Sequence, residues 1–310
     1  MRNFTILLGW FVGTIALQGQ PYDTQAFRSG LRGNPKQVTT TEHLFFTSNP
    51  TSENGQESYT VISTYNQQGI CTGQKMFSIG GALIGTAEYK FDRNGNVYEI
   101  DYTGEYDDLA TRLSYTYNSF GKWQSCRTYQ GGFRQTELIT YRYNTDNRVD
   151  QIQEFSSSNL LRKTEEIIYN AAGKDSITLF RDRRGKITSR NLYSYVCDSL
   201  LSAYTSFDGN GILTEHYTAS YNDNGIISQA QTKWFNPRLY KEVSCQYDSL
   251  GNVIRQEETV NTPSYIVTET TVTYQYDPVG NWIRKTIVKD GQLISQSERK
   301  IVYYTPGKLP

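Results

Sequence analysis

The sequence predicts an all-β protein in which tandem antiparallel β-hairpins form one long, twisted and curved sheet. Three observations lead to this prediction: a 26-residue period, turn-forming residues at a fixed place in each period, and aromatic residues that alternate before each turn. Alternation with a period of two is typical of strands, and no helical period follows the first 20 residues. A β-propeller is the alternative, because two units approach the length of one four-stranded blade.

The corner of each unit carries a residue that tolerates positive φ. The predicted structural turn glycines are Gly69, Gly95, Gly121, Gly173, Gly225, Gly251 and Gly280. Asn147 and Ser199 occupy the same position in two further units, and an aromatic residue stands four residues earlier in all nine. Asp or Asn follows that aromatic residue in eight units, and its side chain can bond the backbone two residues on. Glycine in the left-handed region then closes a type I turn with a bulge, so each unit predicts one hairpin.

The segments along the chain are predicted in order. Residues 1–19 form a secretory signal peptide, since Arg2 precedes an apolar run that is too short for a comfortable membrane span. Residues 20–58 form a linker and a degenerate first hairpin, with strands near residues 38–46 and 57–65. Residues 59–304 form the hairpin array, with a closing strand near its end, and residues 305–310 form a tail. The mature chain is expected to contain no membrane span.

The strands themselves are predicted from alternating aromatic residues and from a second, weaker set of turns. Pairs such as Tyr115 and Tyr117, two residues apart, lie on one face of a strand. Turn residues recur about twelve residues after each corner, for example at Asn210-Gly211. Nine units therefore predict at least eighteen strands. Open sheets of more than about ten strands usually curl or split, which is why a curved sheet is expected.

Composition limits the function classes. The 31 basic and 31 acidic residues balance, and this balance disfavours nucleic acid as a partner. Two histidines leave little room for histidine-based metal or triad chemistry, so neither a metal nor a cofactor is expected. Four cysteines form no CxxC pair, and we expect them to be free thiols.

Catalytic signatures are nearly absent. Ser297 to Lys300 matches an SxxK pattern, but it lies in a predicted strand and does not open a helix, so it is interpreted as a chance match. Adjacent carboxylates such as Glu165 and Glu166 point to opposite faces of a strand and cannot act as one acid/base pair. The protein is therefore expected not to be an enzyme.

Aromatic side chains are the one group with binding potential. Trp123, Trp234 and Trp282 are the candidate ligand-binding residues, because their flat faces suit sugar rings. The alternative is that aromatic residues repeating every 26 positions are a stacking spine, since cross-strand aromatic pairs stabilise sheets. Trp234 lies outside the repeating columns, so the spine interpretation applies to it least.

Three segments carry a resemblance to a known family. Residues 89–96 read YKFDRNGN, residues 247–252 read YDSLGN, and residues 276–282 read YDPVGNW. These segments resemble the YD repeats of the RHS family, in the short exported forms of Bacteroidetes-type bacteria. The resemblance covers about residues 30–304 and implies a β-hairpin array that curls into a spiral or shell and often handles carbohydrate. The resemblance also implies that such an array often encloses a C-terminal toxin, but this chain departs from the large members: it is too short for a closed cocoon and only six residues follow Tyr304, so no toxin domain is expected.

The sequence thus indicates architecture better than activity. We expect a non-catalytic, exported repeat scaffold, in the periplasm, at the cell surface or outside the cell. Its expected partner is a glycan or an envelope protein. A purely structural envelope protein without a specific ligand is one alternative. A polysaccharide hydrolase is the other, and it would need carboxylates converging in a cleft.

Overall fold

A computed structural model describes residues 31–45, 56–104, 111–131, 133–236, 239–262 and 264–305. The predicted signal peptide, most of the predicted linker and residues 306–310 of the predicted tail lie outside this range. In the described part, twenty strands follow one another along the chain. Their bounds are β1 Pro35–Phe45, β2 Gln56–Tyr65, β3 Cys71–Ser78, β4 Leu83–Phe91, β5 Val97–Gly104, β6 Thr111–Tyr117, β7 Trp123–Gln130, β8 Arg134–Tyr143, β9 Val149–Ser156, β10 Leu161–Tyr169, β11 Asp175–Asp182, β12 Ile187–Val196, β13 Leu200–Asp208, β14 Leu213–Tyr221, β15 Ile227–Asn236, β16 Leu239–Tyr247, β17 Val253–Thr262, β18 Ser264–Tyr276, β19 Trp282–Lys289 and β20 Gln292–Tyr303.

The strands form one closed sheet, so the predicted open, curved sheet and the alternative propeller are both wrong. Each strand pairs with the next one along the chain, and β1 pairs with β20 as well as with β2. The result is one closed 20-stranded antiparallel sheet. A propeller would instead divide the strands into separate four-stranded blades. Closure is favoured because an open sheet leaves two edges of unpaired N–H and C=O groups, and joining the first strand to the last removes both.

The corners have the geometry that the repeat predicts. In the β4–β5 corner the Asp92 carboxylate accepts the N–H groups of Asn94 at 2.8 Å and Asn96 at 2.9 Å. These backbone donors lower the pKa of Asp92. The Gly95 N–H donates to the Asp92 carbonyl at 3.1 Å, and φ of Gly95 is 81°. The strand register shifts next to the corner, between Lys90 and Phe91, as expected for a bulge.

All seven predicted turn glycines have positive φ. Their values run from 71° at Gly121 and Gly225 to 90° at Gly280. Asn147 takes the same conformation with φ of 60°, which agrees with the ability of asparagine to occupy the left-handed region. The repeat position is therefore defined by backbone conformation rather than by the side chain.

The corner that departs from the sequence pattern has a different turn. Val196 replaces Asp or Asn there, and no side-chain cap of the Asp92 type is available. Cys197 and Asp198 both have positive φ, and the Ser199 N–H donates to the Val196 carbonyl at 3.2 Å. Three residues separate the paired Val196 and Leu200, and two successive residues with positive φ distinguish this turn from the Asp92 type. One substitution in the pattern thus changes the class of turn and leaves the hairpin intact.

Corner tyrosines join neighbouring 26-residue repeats through their hydroxyl groups. The Tyr117 hydroxyl donates to the Val97 carbonyl at 2.6 Å, and the Tyr169 hydroxyl donates to the Val149 carbonyl at 2.6 Å. Tyr221 repeats this bond to Leu201 at 2.8 Å. Each donor stands 20 residues after its acceptor, so the same bond recurs in several repeats. The ring packs and the hydroxyl is satisfied, as buried tyrosines require.

The tyrosine bond at Tyr276 differs because the repeat that leads to it is three residues longer than the others. The Tyr276 hydroxyl donates to the Asp248 carboxylate, and the Asn252 amide donates to the same hydroxyl at 3.0 Å. These contacts involve the capping residue of the preceding corner instead of a backbone carbonyl. They help to lower the pKa of Asp248, although burial opposes them.

The chain divides into two compact units. Unit 1 contains the described parts of residues 1–39, 61–135 and 300–310, and it has two apolar clusters. One consists of Leu31, Val38, Tyr65 and Cys71. The other consists of Ala87, Ile100, Leu113 and Tyr115. Burial of these side chains stabilises unit 1 through the ordinary hydrophobic effect.

Unit 2 contains the described parts of residues 40–60 and 136–299, and its buried face is polar. Among its described residues the buried hydrophobic side chains are Ala230 and Val272. The buried polar residues of unit 2 are Thr164, Thr178, Ser206, Thr259, Asn281, Ser295 and Ser297. Most buried residues of unit 2 among those described thus carry hydroxyl groups, whereas unit 1 buries mainly hydrophobic residues together with Ser63 and Ser125. Each such group needs a hydrogen-bond partner, because an unpaired buried polar group is costly.

One strand extends beyond its neighbour. β18 pairs with β17 from Ser264 onward, whereas its pairing with β19 begins at Thr270. The Asp290 carboxylate accepts the Glu269 N–H at 2.8 Å, and the Asp290 N–H donates to the Glu269 carbonyl at 2.8 Å. These two bonds end the β18–β19 ladder at the turn after β19.

Within the described part of the chain, no helix has both the length and the apolar character needed to cross a membrane.

Candidate functional site

The three tryptophans predicted as ligand platforms already contact other side chains. Trp123, in unit 1, stacks on Tyr115 with ring centroids 5.4 Å apart and an interplanar angle of 26°. Its indole N–H donates to the Tyr117 hydroxyl at 3.3 Å. One ring face and the polar edge are therefore engaged inside the sheet, which supports the spine interpretation for this residue.

Trp234 lies in the middle of unit 2. It stands opposite Glu215 of β14 and Lys241 of β16. The Lys241 ammonium lies 5.5 Å from the ring centroid and forms an ion pair with Glu258 at 3.0 Å. A cation over an indole face is attracted by the ring quadrupole. This lysine is thus neutralised by a carboxylate as well as stacked.

Trp282 begins β19 and has two cations over its ring. Arg299 of β20 lies 3.4 Å from the centroid, measured from its guanidinium carbon, and the Lys285 ammonium lies 5.5 Å from it. Trp282 and Trp234 are four strands apart in the sheet, which corresponds to roughly 19 Å at about 4.8 Å per strand. The structure does not bring them together, and Trp123 belongs to the other unit.

Lys285 is the most unusual charged group near Trp282. It stands opposite Tyr274 of β18 and Ser297 of β20, so these three residues form one row across three strands. Burial lowers the pKa of Lys285, the nearby Arg299 lowers it further, and Glu42 opposes the change. Among the described residues Lys285 has no ion-pair partner within 4.0 Å. Its charge is therefore only partly compensated.

Glu42 of β1 is the acidic member of this neighbourhood. Its two carboxylate oxygens accept the Tyr59 hydroxyl at 2.8 Å and the Ser295 hydroxyl at 3.2 Å. Burial and the Glu42 carboxylate raise the pKa of Tyr59 well above its usual range. We call Glu42, Tyr274, Trp282, Lys285, Ser295, Ser297 and Arg299 the β19–β20 cluster. It combines two aromatic residues, two cations, one carboxylate and hydroxyl groups.

Sequence reasoning did not select Lys285, Arg299 or Ser297 as binding residues. Ser297 was noticed only as part of an SxxK pattern, and the structure separates that pair: Ser297 is buried, whereas Lys300 is exposed. The two are three residues apart and lie on opposite faces of β20. No local signal identified the cluster, because its members come from β1, β18, β19 and β20.

A second group of residues in unit 2 is acidic. Burial raises the pKa of Glu165, and Asp175 raises it further against the opposing effect of Lys163. Burial also raises the pKa of Asp175. Burial raises the pKa of Glu137 too, and the Glu154 carboxylate raises it further. Glu166 faces the other way and pairs with Arg181 at 2.9 Å, so the prediction that Glu165 and Glu166 point to opposite faces agrees with these contacts.

An aromatic ladder crosses the middle strands of unit 2. Tyr204 stacks on Tyr217 with centroids 5.2 Å apart and lies 6.1 Å from Tyr193. The Tyr204 hydroxyl donates to the Glu215 carboxylate, and the Ser206 hydroxyl donates to the Asn191 side chain at 2.7 Å. The buried polar groups here have partners in the sheet, so this row is a structural network.

Histidine and cysteine side chains offer little further chemistry. His43 bonds Ser58 at 2.8 Å and His216 bonds Thr205 at 3.0 Å, each between neighbouring strands. The four cysteines are free, as the sequence predicted. In the part of the chain that the structure describes, no three His, Cys, Asp or Glu side chains are grouped so that they could hold a metal ion.

Comparisons with known proteins give only distant similarities. No family model matches the sequence. No curated protein matches it either. Among solved structures, a crystal structure of TcdB2–TccC3 with Cdc42 is 12% identical over 77% of this chain, with a TM-score of 0.41. A Photorhabdus luminescens Tc holotoxin pore is 12% identical over 78% of this chain, with a TM-score of 0.40. The chain spans only 15% and 14% of the lengths of these two proteins.

A porin-like protein from Bacteroides uniformis is comparable in length to this chain. It is 10% identical, with a TM-score of 0.36, and the match covers 86% of this chain and 96% of the porin-like protein. A porin-like protein from Bacteroides vulgatus is 11% identical, with a TM-score of 0.30 over 87% of this chain and 98% of that one. At these identities and TM-scores the similarities assign no function to the chain.

Proposed function

We propose that the protein is a non-catalytic, exported scaffold that binds a glycan or an envelope protein. The observation that carries this proposal is the polar and aromatic character of the buried face of unit 2. A face made for packing alone would bury aliphatic side chains, as unit 1 does. The face of unit 2 instead holds tyrosines, hydroxyl groups and the cations of the β19–β20 cluster. Aromatic faces together with a few placed polar groups are typical of ligand sites.

Export and the repeat family belong to the same proposal. The basic and apolar start of the sequence supports a signal peptide, and export would place the mature chain in the periplasm, at the cell surface or outside the cell. The YD-type segments around Asp92, Asp248 and Asp277 support membership of an RHS-like repeat class. The side-chain caps of these corners, such as Asp248 to the Asn252 N–H at 2.9 Å, explain why such a repeat retains Asp or Asn there.

A purely structural role is the second candidate, and a specific observation favours it. Tyrosine hydroxyl bonds link successive repeats, and the Tyr304 hydroxyl, just after β20, donates to the Tyr65 carbonyl at the end of β2 at 2.8 Å. Such bonds stabilise the closed sheet whether or not a ligand binds.

A polysaccharide hydrolase is the third candidate. Burial raises the pKa of Glu165, and the Asp175 carboxylate raises it further, while burial alone raises the pKa of Asp175. A carboxyl group with a raised pKa is the kind of residue that serves as the general acid of a glycosidase.

A binding screen with the mature full-length chain tests the proposal. A glycan array and affinity capture from envelope extract are expected to give a saturable partner that survives 0.15 M salt. The absence of any partner in both assays would favour the structural role. Release of reducing ends from a polysaccharide, lost in Glu165→Gln and retained in Glu166→Gln, would establish the hydrolase instead. Glu166 is the matched control because it lies next to Glu165 and faces the other side.

A further inference from the structure

Ser297 is a buried hydroxyl group without a partner. Its side chain is only 1% exposed, and its Oγ has no hydrogen bond within the described part of the chain. Ser295 shares its face of β20 and differs in this respect, because it donates to Glu42. A buried unsatisfied hydroxyl destabilises a fold, so its presence calls for an explanation such as a ligand.

Lys285 supplies the complementary half of a binding site. Ser297 and Lys285 stand directly opposite each other in the β19–β20 register, where side chains on one face are about 5 Å apart at Cβ. The ammonium is partly desolvated and has no ion-pair partner among the described residues. An anionic oxygen that accepts from both groups would satisfy the hydroxyl and neutralise the charge at once.

The surroundings favour an anion that is carried on a sugar. Trp282, Lys285 and Arg299 are each partly exposed, whereas Ser297 is buried. The Glu42 carboxylate acts on Lys285, and its two oxygens are already bonded to Tyr59 and Ser295. An indole beside cations suits a ring that bears a charged group.

We propose that the row formed by Lys285 and Ser297, beside Trp282, binds the carboxylate or sulfate group of an acidic glycan. This inference deepens the proposed function. Recognition of the sugar rests on that proposed function, whereas recognition of the anionic group does not. Carboxylate and sulfate share the chemistry of charged oxygens that accept hydrogen bonds, and separate probes distinguish them.

The test measures binding of four probes by calorimetry: trigalacturonate, the neutral galactose trimer, a sulfated disaccharide and inorganic sulfate. We expect trigalacturonate or the sulfated disaccharide to bind at least tenfold more tightly than the neutral trimer. Lys285→Met and Ser297→Ala should each weaken the acidic probe by about tenfold or more, since hydrogen bonds to charged groups are among the strong ones. Ser297→Ala should not lower the unfolding midpoint of the ligand-free protein, because it removes an unpaired hydroxyl.

Two matched controls separate a local role from a general one. Lys241→Met removes a lysine at the same 5.5 Å distance from a tryptophan ring, but one that Glu258 already neutralises. Ser295→Ala removes a serine of the same strand face whose hydroxyl already has a partner. Both variants should retain acidic-probe binding within about threefold of the parent.

The inference and the proposed function fail separately. Equal affinity for acidic and neutral trimers, unchanged in Lys285→Met, would overturn the anion site and leave glycan binding standing. A third outcome is that inorganic sulfate alone binds, that Ser297→Ala weakens this binding, and that sulfate raises the Lys285 pKa in a side-chain NMR titration. This outcome would support the anion site and contradict binding of a sugar. If none of the four probes binds and the Lys285 resonance does not respond to sulfate, the anion site is refuted.

Discussion

A substitution at Gly251 tests the corner geometry on which the whole repeat depends. Gly251 has φ of 84°, and a Cβ placed there would meet only the Ile226 Cγ2, at an ordinary contact distance of 3.6 Å. The cost of a larger residue therefore comes from backbone conformation and not from a collision. For a β-branched residue at positive φ we expect Gly251→Val to lower the free energy of unfolding by about 1–2 kcal/mol.

Urea unfolding followed by circular dichroism measures this cost. With a slope of about 3 kcal/mol per molar urea, the midpoint should fall by roughly 0.3–0.7 M at an unchanged slope. Gly251→Asn should cost clearly less, because Asn147 occupies the equivalent position with φ of 60°. The reasoning is refuted if Gly251→Val unfolds at the parent midpoint, or if asparagine and valine are equally destabilising.

Three further predictions concern the tyrosine bonds, the buried acids and the thiols. Tyr221→Phe should lower the free energy of unfolding by about 0.5–1.5 kcal/mol in urea titration, because the Leu201 carbonyl loses its donor while the ring remains. The raised pKa of Glu165 means that ionisation opposes folding, so stability from this group is lost as pH rises through its folded pKa. Glu165→Gln should therefore gain stability over the parent when thermal midpoints are compared at pH 7, and little at pH 4. In a thiol-labelling time course exposed Cys197 should react first and buried Cys71, whose pKa burial raises to about 11, last.

Each of these predictions has a contradicting result. Tyr195→Phe is the control for the first, since no hydrogen bond of its hydroxyl is present among the described residues; equal losses in both variants would contradict the hydroxyl bond. A gain from Glu165→Gln that is the same at both pH values would argue against a titrating origin. Labelling of Cys71 as fast as Cys197 in the folded protein would contradict the burial of Cys71.

Local features of this chain were readable from its sequence. The corner at Asp92 to Asn96 needs only a side chain that bonds its own backbone and a glycine at positive φ, and both are properties of a few adjacent residues. The alternation of Tyr115 and Tyr117 likewise follows from strand geometry. These interactions join residues at most four positions apart, so a repeated pattern in the sequence reports them directly.

Closure and the candidate site were decided by contacts between distant parts of the chain. The pairing of β1 with β20 joins segments about 250 residues apart, and nothing in either segment marks the other as its partner. The row of Tyr274, Lys285 and Ser297 depends on the register of three strands, where a shift by one residue would turn each side chain to the opposite face. Sequence therefore determined the repeating hairpin, because its turns are local. The tertiary structure decided the closed sheet and the cluster beside Trp282, because hydrogen bonding between remote strands sets both.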